Sequence, residues 1–131
     1  MFFVTRRVID LIERFQKEIQ YFPVHAVWED DSDAGQFFFL FTPVLLDAVN
    51  REQTTMPWEA YPEGLPVAGR WYDRVDRPDT TIVFDKSKMG NVHFWKDPHI
   101  LNCVLVSEVL FDAFKKEDIR LFYDCPKFEE V

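Results

Sequence analysis

Few residues of this chain have the types and spacing that chemistry requires. The histidines His25, His93 and His99 show none of the spacings typical of metal ligands, and a metal site needs several convergent ligands. The acidic run from Asp30 starts like a calcium-binding loop, but Phe41 occupies the twelfth position, where such a loop has a bidentate Glu. No glycine-rich loop for phosphates is present. The sequence therefore predicts no metal ion and no cofactor.

A nucleophile with a nearby base is also missing from the sequence pattern. Ser107 stands where a helix cap belongs, without the glycines of a nucleophile elbow. Cys125 has no base beside it to generate a thiolate. We therefore predict no catalytic residue. The alternative is a small enzyme or small-ligand-binding protein in which His93, His99 and Asp85 surround a pocket.

Two groups of side chains are more typical of protein recognition. An acidic loop tip could meet a basic surface, and aromatic residues in a proline-rich stretch are of the types that anchor interfaces when partly exposed. The alternatives are an ordinary solvated turn and aromatic rings that fold back over the sheet. The candidate partner-binding residues are Glu29, Asp30, Asp31 and Asp33 in the tip and Trp58, Tyr61, Trp71 and Tyr72 in the proline-rich stretch.

The charge balance limits the possible partners. The chain has 23 acidic and 15 basic residues, a formal charge of −8. Nucleic-acid binders need a basic surface that displaces counterions from phosphates, and anionic membranes attract basic segments. An acidic surface instead favours a basic partner, although the same charge could serve solubility alone. We therefore expect neither nucleic acid nor membrane as a partner.

The size of the chain predicts one domain over residues 1–131, because 131 residues support a single core. Its two cysteines, Cys103 and Cys125, are too few for a disulfide framework, which favours reduced thiols. The first fifteen residues carry charges where a signal peptide is apolar, and no apolar run reaches the length of a membrane span. These features predict a cytoplasmic protein.

The periodicity of the first half predicts a helix and a hairpin. Thr5 can cap a helix whose apolar stripe is Val8, Ile12, Phe15 and Ile19. Residues 21–28 and 36–41 read as the two strands of a hairpin joined by the acidic tip. Five consecutive apolar residues, 37–41, predict that the second strand is buried on both faces.

The second half predicts further strands and a closing helix. Residues 42–52 could be helix or strand, and residues 54–80 form an irregular proline-rich insertion. Ser107 caps a helix that resembles the opening one, so we expect the two units to pack at the two ends of a sheet. The fold class is therefore α+β, a mainly antiparallel sheet flanked by two amphipathic helices. The remaining predicted strands are 81–85, 92–96, 100–106 and 119–125, with a turn at 86–91.

Three segments carry a resemblance to a known family. LLDAVNREQT (45–54), TIVFDKSKMGNVHFWK (81–96) and LVSEVLFDAFKKEDIRLFY (105–123), in this order, resemble segments of bacterial immunity proteins that accompany polymorphic toxins. FVTRRVIDLIERF and QYFPVHAV are similar to the opening helix and strand of that group, which was first catalogued as a domain of unknown function. Asn50 departs from its pattern, which commonly has an acidic residue there.

The resemblance implies an α+β fold and a role without catalysis. A member of this group would bind a cognate toxin domain and block its active site or the approach of its substrate. An acidic tip with aromatic anchors would then fill a basic cleft. The resemblance supplies no catalytic residues. A further possibility is a structural subunit of a larger assembly, in which exposed aromatic residues mark a permanent interface.

Overall fold

The computed structural model describes residues 2–60, 69–71, 80–100, 103–120 and 129–131. Within these ranges the chain is α+β, with antiparallel sheets beside an N-terminal and a C-terminal helix, which confirms the predicted fold class. None of the helices in these ranges is long and apolar enough to cross a membrane. The helices are α1 (Arg6–Phe15), α2 (Lys86–Met89) and α3 (Glu108–Lys116). The strands are β1 (Phe2–Val4), β2 (Gln20–Val27), β3 (Asp33–Phe41), β4 (Trp58–Ala60), β5 (Gly69–Trp71), β6 (Val83–Phe84), β7 (Phe94–Trp95), β8 (Leu105–Val106) and β9 (Glu129–Glu130).

The main sheet has the order β1-β3-β2 and is antiparallel throughout. It contains the predicted hairpin, in which Phe22 lies opposite Phe39. The register shifts between Ala26 and Val27, where a bulge precedes the turn. The second strand begins at Asp33, so the loop tip is shorter than the sequence suggested.

One face of this sheet, the inner face, is covered by helices α1 and α3. Leu40 lies in one apolar cluster with Leu11 and Ile12 of α1 and with Leu110 and Phe114 of α3. The two helices also contact each other directly. The expectation that the two similar units stand at opposite ends of a sheet is therefore wrong: both apolar helix faces are buried in the same cluster.

Helix α1 ends where a polar side chain turns into the core. Gln16 follows the helix in an extended conformation, and only 4% of it is exposed. Its Oε1 accepts hydrogen bonds from the backbone N–H groups of His93 (2.8 Å) and Phe94 (2.9 Å), while its Nε2 donates to the Phe94 carbonyl (2.8 Å). Thr42 Oγ1 donates to the same carbonyl at 2.9 Å. The Gln16 amide thus satisfies backbone groups of β7 that a neighbouring strand would otherwise pair.

A second apolar cluster forms around β6, β7 and β8. The segment 42–52 reaches this cluster as neither helix nor regular strand. Single bridges hold it, one from Leu45 to Lys96 and one from Val49 to Phe84. The sequence left open whether residues 42–52 are helix or strand, and the structure shows irregular chain instead. The buried members of the cluster are Ala48, Val49, Met56, Trp71, Ile82, Phe84, Met89, Trp95, Ile100 and Leu105.

Several predicted elements differ from those observed. The predicted turn at 86–91 contains one turn of helix, α2, which the Asp85 side chain caps by accepting from the N–H of Ser87 at 2.9 Å. The predicted strands 81–85 and 92–96 shrink to the two-residue β6 and β7, and β6 pairs in parallel with β9. Of the predicted strand 100–106, residues 101 and 102 lie outside the described residues, and β8 is the strand among the rest. Residues 121–125 of the last predicted strand, and 61–68 and 72–79 of the proline-rich insertion, lie outside the described residues.

Replacing Gln16 by Leu should destabilise the fold, because the buried N–H of Phe94 and the partly buried N–H of His93 would lose their acceptor. We expect the free energy of unfolding to fall by on the order of 3 kcal/mol in urea titrations. Thr42→Val is the comparison variant: it removes one donor from a carbonyl that Gln16 still bonds and the acceptor of the part-buried Val44 N–H, and should cost about 1 to 2 kcal/mol. Equal and small losses in both variants would contradict the role given to Gln16.

Candidate protein-binding surface

The acidic tip is a built turn with exposed charges. The Trp28 N–H donates to the Ser32 carbonyl at 2.8 Å. The Asp30 carboxylate accepts from the Ser32 N–H (3.0 Å) and hydroxyl (2.5 Å), and these bonds lower the pKa of Asp30. Asp33 accepts from the Gly35 N–H at 2.6 Å. Asp30 and Asp33 therefore shape the turn in addition to charging it.

The other two acidic side chains of the tip contribute charge alone. Glu29 and Asp31 are exposed, and neither side chain forms a hydrogen bond or ion pair within the described part of the chain. Asp31 adopts a left-handed backbone conformation, with φ at 62°, which Asp and Asn tolerate better than most residues. Substitutions at these two positions can therefore change the charge with little effect on the turn.

The predicted aromatic anchors have different surroundings. Trp58 is 37% exposed, and its ring contacts the Arg51 guanidinium, 5.1 Å from the ring centroid, and the rings of Trp71 and His99. Trp71 is only 6% exposed and belongs to the core, as the alternative of rings folding back anticipates. A side chain at Gly69 would collide with the Trp58 ring, so this packing requires glycine there. Tyr61 and Tyr72 lie outside the described residues.

A buried carboxylate contacts the backbone of His99, whose ring packs on Trp58. Asp97 is 3% exposed; its Oδ1 accepts from the His99 N–H at 2.8 Å, while its Oδ2 has no hydrogen-bond partner among the described residues. Burial raises the pKa of Asp97, the His99 N–H opposes that rise, and the nearby Asp47 carboxylate adds to it. His99 Nε2 in turn lies 3.7 Å from Asp47 Oδ2.

The groups proposed for a small enzyme do not share one site. His93 Nδ1 lies 2.8 Å from the Ser107 hydroxyl, beside a pocket of about 170 Å³, whereas His99 packs on Trp58 and Asp85 caps α2. The sequence missed the contact between His93 and Ser107, which the pairing of β7 with β8 produces.

The contact between His93 and Ser107 fits a structural role. Ser107 accepts the Leu110 N–H at 3.2 Å, so its hydroxyl proton is available for His93 Nδ1. This arrangement confirms the predicted cap of α3. Ser107 is 2% exposed and lines the pocket together with His93, and its hydroxyl is occupied by the helix cap and by the contact with His93.

The sheet also has an exposed outer face, which the sequence did not predict. Phe3 and Phe22 lie on either side of Phe39 and are 54% and 57% exposed. The rings of Phe3 and Phe39 are 4.1 Å apart, and those of Phe22 and Phe41 are 5.8 Å apart. The expectation that β3 is buried on both faces was therefore wrong. Leu40 on the inner face is buried, whereas the phenylalanines of β3 on the outer face are only half-buried.

The chain matches a known protein family over most of its length. A protein-family model described as an immunity protein family (Imm11) matches residues 1–124. No curated protein and no solved structure matches the chain.

Replacing Asp97 by Asn should stabilise the protein at neutral pH. The raised pKa means that the folded state binds the Asp97 proton more tightly than the unfolded state does, so this group favours folding at low pH and loses that contribution as pH rises through its folded pKa. Asn keeps an oxygen for the His99 N–H and carries no charge to bury. We expect a gain on the order of 1 kcal/mol at pH 7 in urea titrations.

The pH dependence of this gain separates charge from packing. Near pH 3, about one unit below an ordinary Asp pKa, the gain from Asp97→Asn should disappear because Asp97 is protonated in both states. The exposed Asp112→Asn is the control and should change little at either pH. A gain that is equal at both pH values, or a loss at pH 7, would contradict the assignment.

Proposed function

The chain belongs to the Imm11 immunity protein family, and we propose that it binds a cognate toxin domain stoichiometrically and neutralises it without catalysis. The observation that carries this proposal is the match over residues 1–124, nearly the whole chain. The partner would be the toxin encoded beside this chain, met in the cytoplasm of the cell that makes both. Occlusion of the toxin's active site, or of the approach to it, needs affinity and placement but no reactive group.

The acidic tip supports a basic cleft as the target on the toxin. Its charges stand on an exposed turn whose shape is fixed by hydrogen bonds that the carboxylates of Asp30 and Asp33 accept from backbone N–H groups. Charges at such a position project a field over roughly 8 Å at physiological salt and accelerate encounter with a basic surface. A fixed turn also loses less conformational entropy on binding than a mobile loop would.

Trp58 and Arg51 form a second candidate contact region. The ring of Trp58 contacts Arg51 and the buried Trp71, with 37% of the residue exposed. A partly exposed, rigidly supported Trp is the kind of residue that dominates interface energies. We place this region, with Tyr61 and Tyr72 next to it in sequence, among the candidate toxin contacts.

Co-expression with the toxin tests the proposed function directly. Cells that make the product of the adjacent toxin gene should survive when they also make this chain, and the two proteins should elute together with one-to-one stoichiometry by light scattering. An unrelated acidic protein of similar size and charge is the control and should give no protection. Cell death despite soluble expression of the chain, with no complex formed, would refute the proposal.

The contribution of the tip can be measured through association kinetics. Glu29→Lys combined with Asp31→Asn should slow association with the toxin about tenfold at low salt and flatten its salt dependence, because steering acts mainly on the on-rate. Both changes avoid the carboxylates that hold the turn. The control is Glu18→Lys combined with Asp112→Asn, which makes the same change of net charge at exposed positions outside the tip. Identical kinetics in the two double variants would remove the tip from the mechanism.

A further inference from the structure

Among the residues that the structure describes, the outer face of the main sheet carries no charged side chain. On this face the rows of neighbouring residues are Gln20 with Phe41, Phe22 with Phe39 and Phe3, Val24 with Phe37, and Ala26 with Gly35. Antiparallel sheets that face water on one side normally alternate apolar and polar residues, and the charged or polar residues take the solvent side. Here aromatic residues occupy the side that a helix does not cover.

The exposure of these rings is large for an ordinary surface. Phe3 and Phe22 leave more than half of their surface to solvent although they lie side by side with Phe39. Single exposed apolar residues need no explanation, whereas a contiguous patch of them marks an interaction surface. Aromatic side chains on a rigid sheet also lose little conformational entropy when they are covered.

We infer that this outer aromatic face is the central contact surface for the toxin, and that the toxin covers it with apolar side chains bordered by arginines. The inference rests on the proposed immunity function and locates its interface. The rows of the face lead directly to the acidic tip, with Trp28, 65% exposed, at the boundary. A partner that reaches both surfaces must therefore be apolar at its centre and basic on the side of the tip.

The chemistry of the face favours arginine over lysine on that partner. Phe rings that are open on one side bind planar guanidinium groups through cation–π contacts and stacking. The acidic side chains of the tip can accept hydrogen bonds from the same guanidinium groups. An apolar centre with charges at its border is the usual composition of a specific protein interface.

Contact through side chains fits this sheet better than addition of a strand. Strands β1 and β2 are the two edge strands of the described sheet. On the β2 edge, Pro23 has no N–H to donate to a neighbour. The bulge between Ala26 and Val27 further interrupts regular pairing along that edge. The β2 edge is thus protected and β1 is only three residues long, while the aromatic face between the two edges is open.

A second copy of the chain is a poorer occupant than a basic toxin. Each copy carries a formal charge of −8, so two copies repel each other before their faces meet. A basic partner instead gains from the same charge. Charge complementarity therefore selects the toxin.

The product of the adjacent toxin gene is titrated with variants of this protein, and their dissociation constants are compared. Two variants change equally exposed residues on the outer face, and a third changes an exposed residue on the opposite side of the sheet. Phe3→Thr and Phe22→Thr each make the face polar while keeping a residue that suits a strand. Val109→Ser is the control, because Val109 is 56% exposed on α3, which packs against the inner side of the sheet. Unfolding temperatures of all three variants establish that they fold.

We expect each Phe variant to weaken the dissociation constant about 10- to 100-fold, as truncation of a central interface residue does, and Val109→Ser to change it less than about twofold. Tight binding by the wild type together with unchanged binding by both Phe variants would overturn this interface and leave the immunity function intact. Failure of the wild type to bind would refute both. Self-association that the Phe variants abolish, with toxin binding unaffected, would assign the face to a second copy and overturn the inference.

Discussion

The described fold depends on one buried amide. Gln16 ends α1 and bonds the backbone of residues 93 and 94, which are 77 and 78 positions further along the chain. It joins the cluster that contains both helices to the cluster that contains the short strands, because β7 contributes Phe94 to the first and Trp95 to the second. A buried amide with satisfied bonds specifies one arrangement, since any shift of α1 relative to β7 would leave polar groups unpaired.

This constraint determines which surfaces remain for a partner. With α1 fixed on β7, both helices are committed to the inner side of the main sheet, and Arg14 binds Glu117 at 2.6 Å across them. The outer face and the acidic tip then lie on the part of the hairpin that the helices do not cover. The helices and their caps therefore support the sheet, and in the proposed function the specificity for a toxin would reside in the exposed side chains of the hairpin. Such side chains can change without disturbing the core, so the proposed interface could vary while the fold is kept.

Local patterns were predictable from the sequence, and long-range ones were not. The hairpin and the Ser107 cap follow from alternation and from a hydroxyl before an apolar periodic run, which neighbouring residues alone determine. The Gln16 contact could not be predicted from the sequence, because its partners lie 77 and 78 residues further along the chain and no local pattern distinguishes a buried Gln from an exposed one. The apolar run in β3 predicted two buried faces, yet a run cannot reveal whether a second layer exists to cover it. Trp58 and Trp71 were equivalent candidates in the sequence. Only tertiary packing makes Trp58 partly exposed and Trp71 part of the core.

We propose that the hairpin of β2 and β3 recognises the toxin while the helices support it. Hydrogen exchange measured by mass spectrometry on the free chain and on its complex with the adjacent toxin distinguishes the two roles. We expect slower exchange on binding for peptides within Gln20–Phe41 and unchanged exchange in α3. Protection confined to α3 and to the pocket beside His93, with the hairpin exchanging as in the free chain, would contradict it.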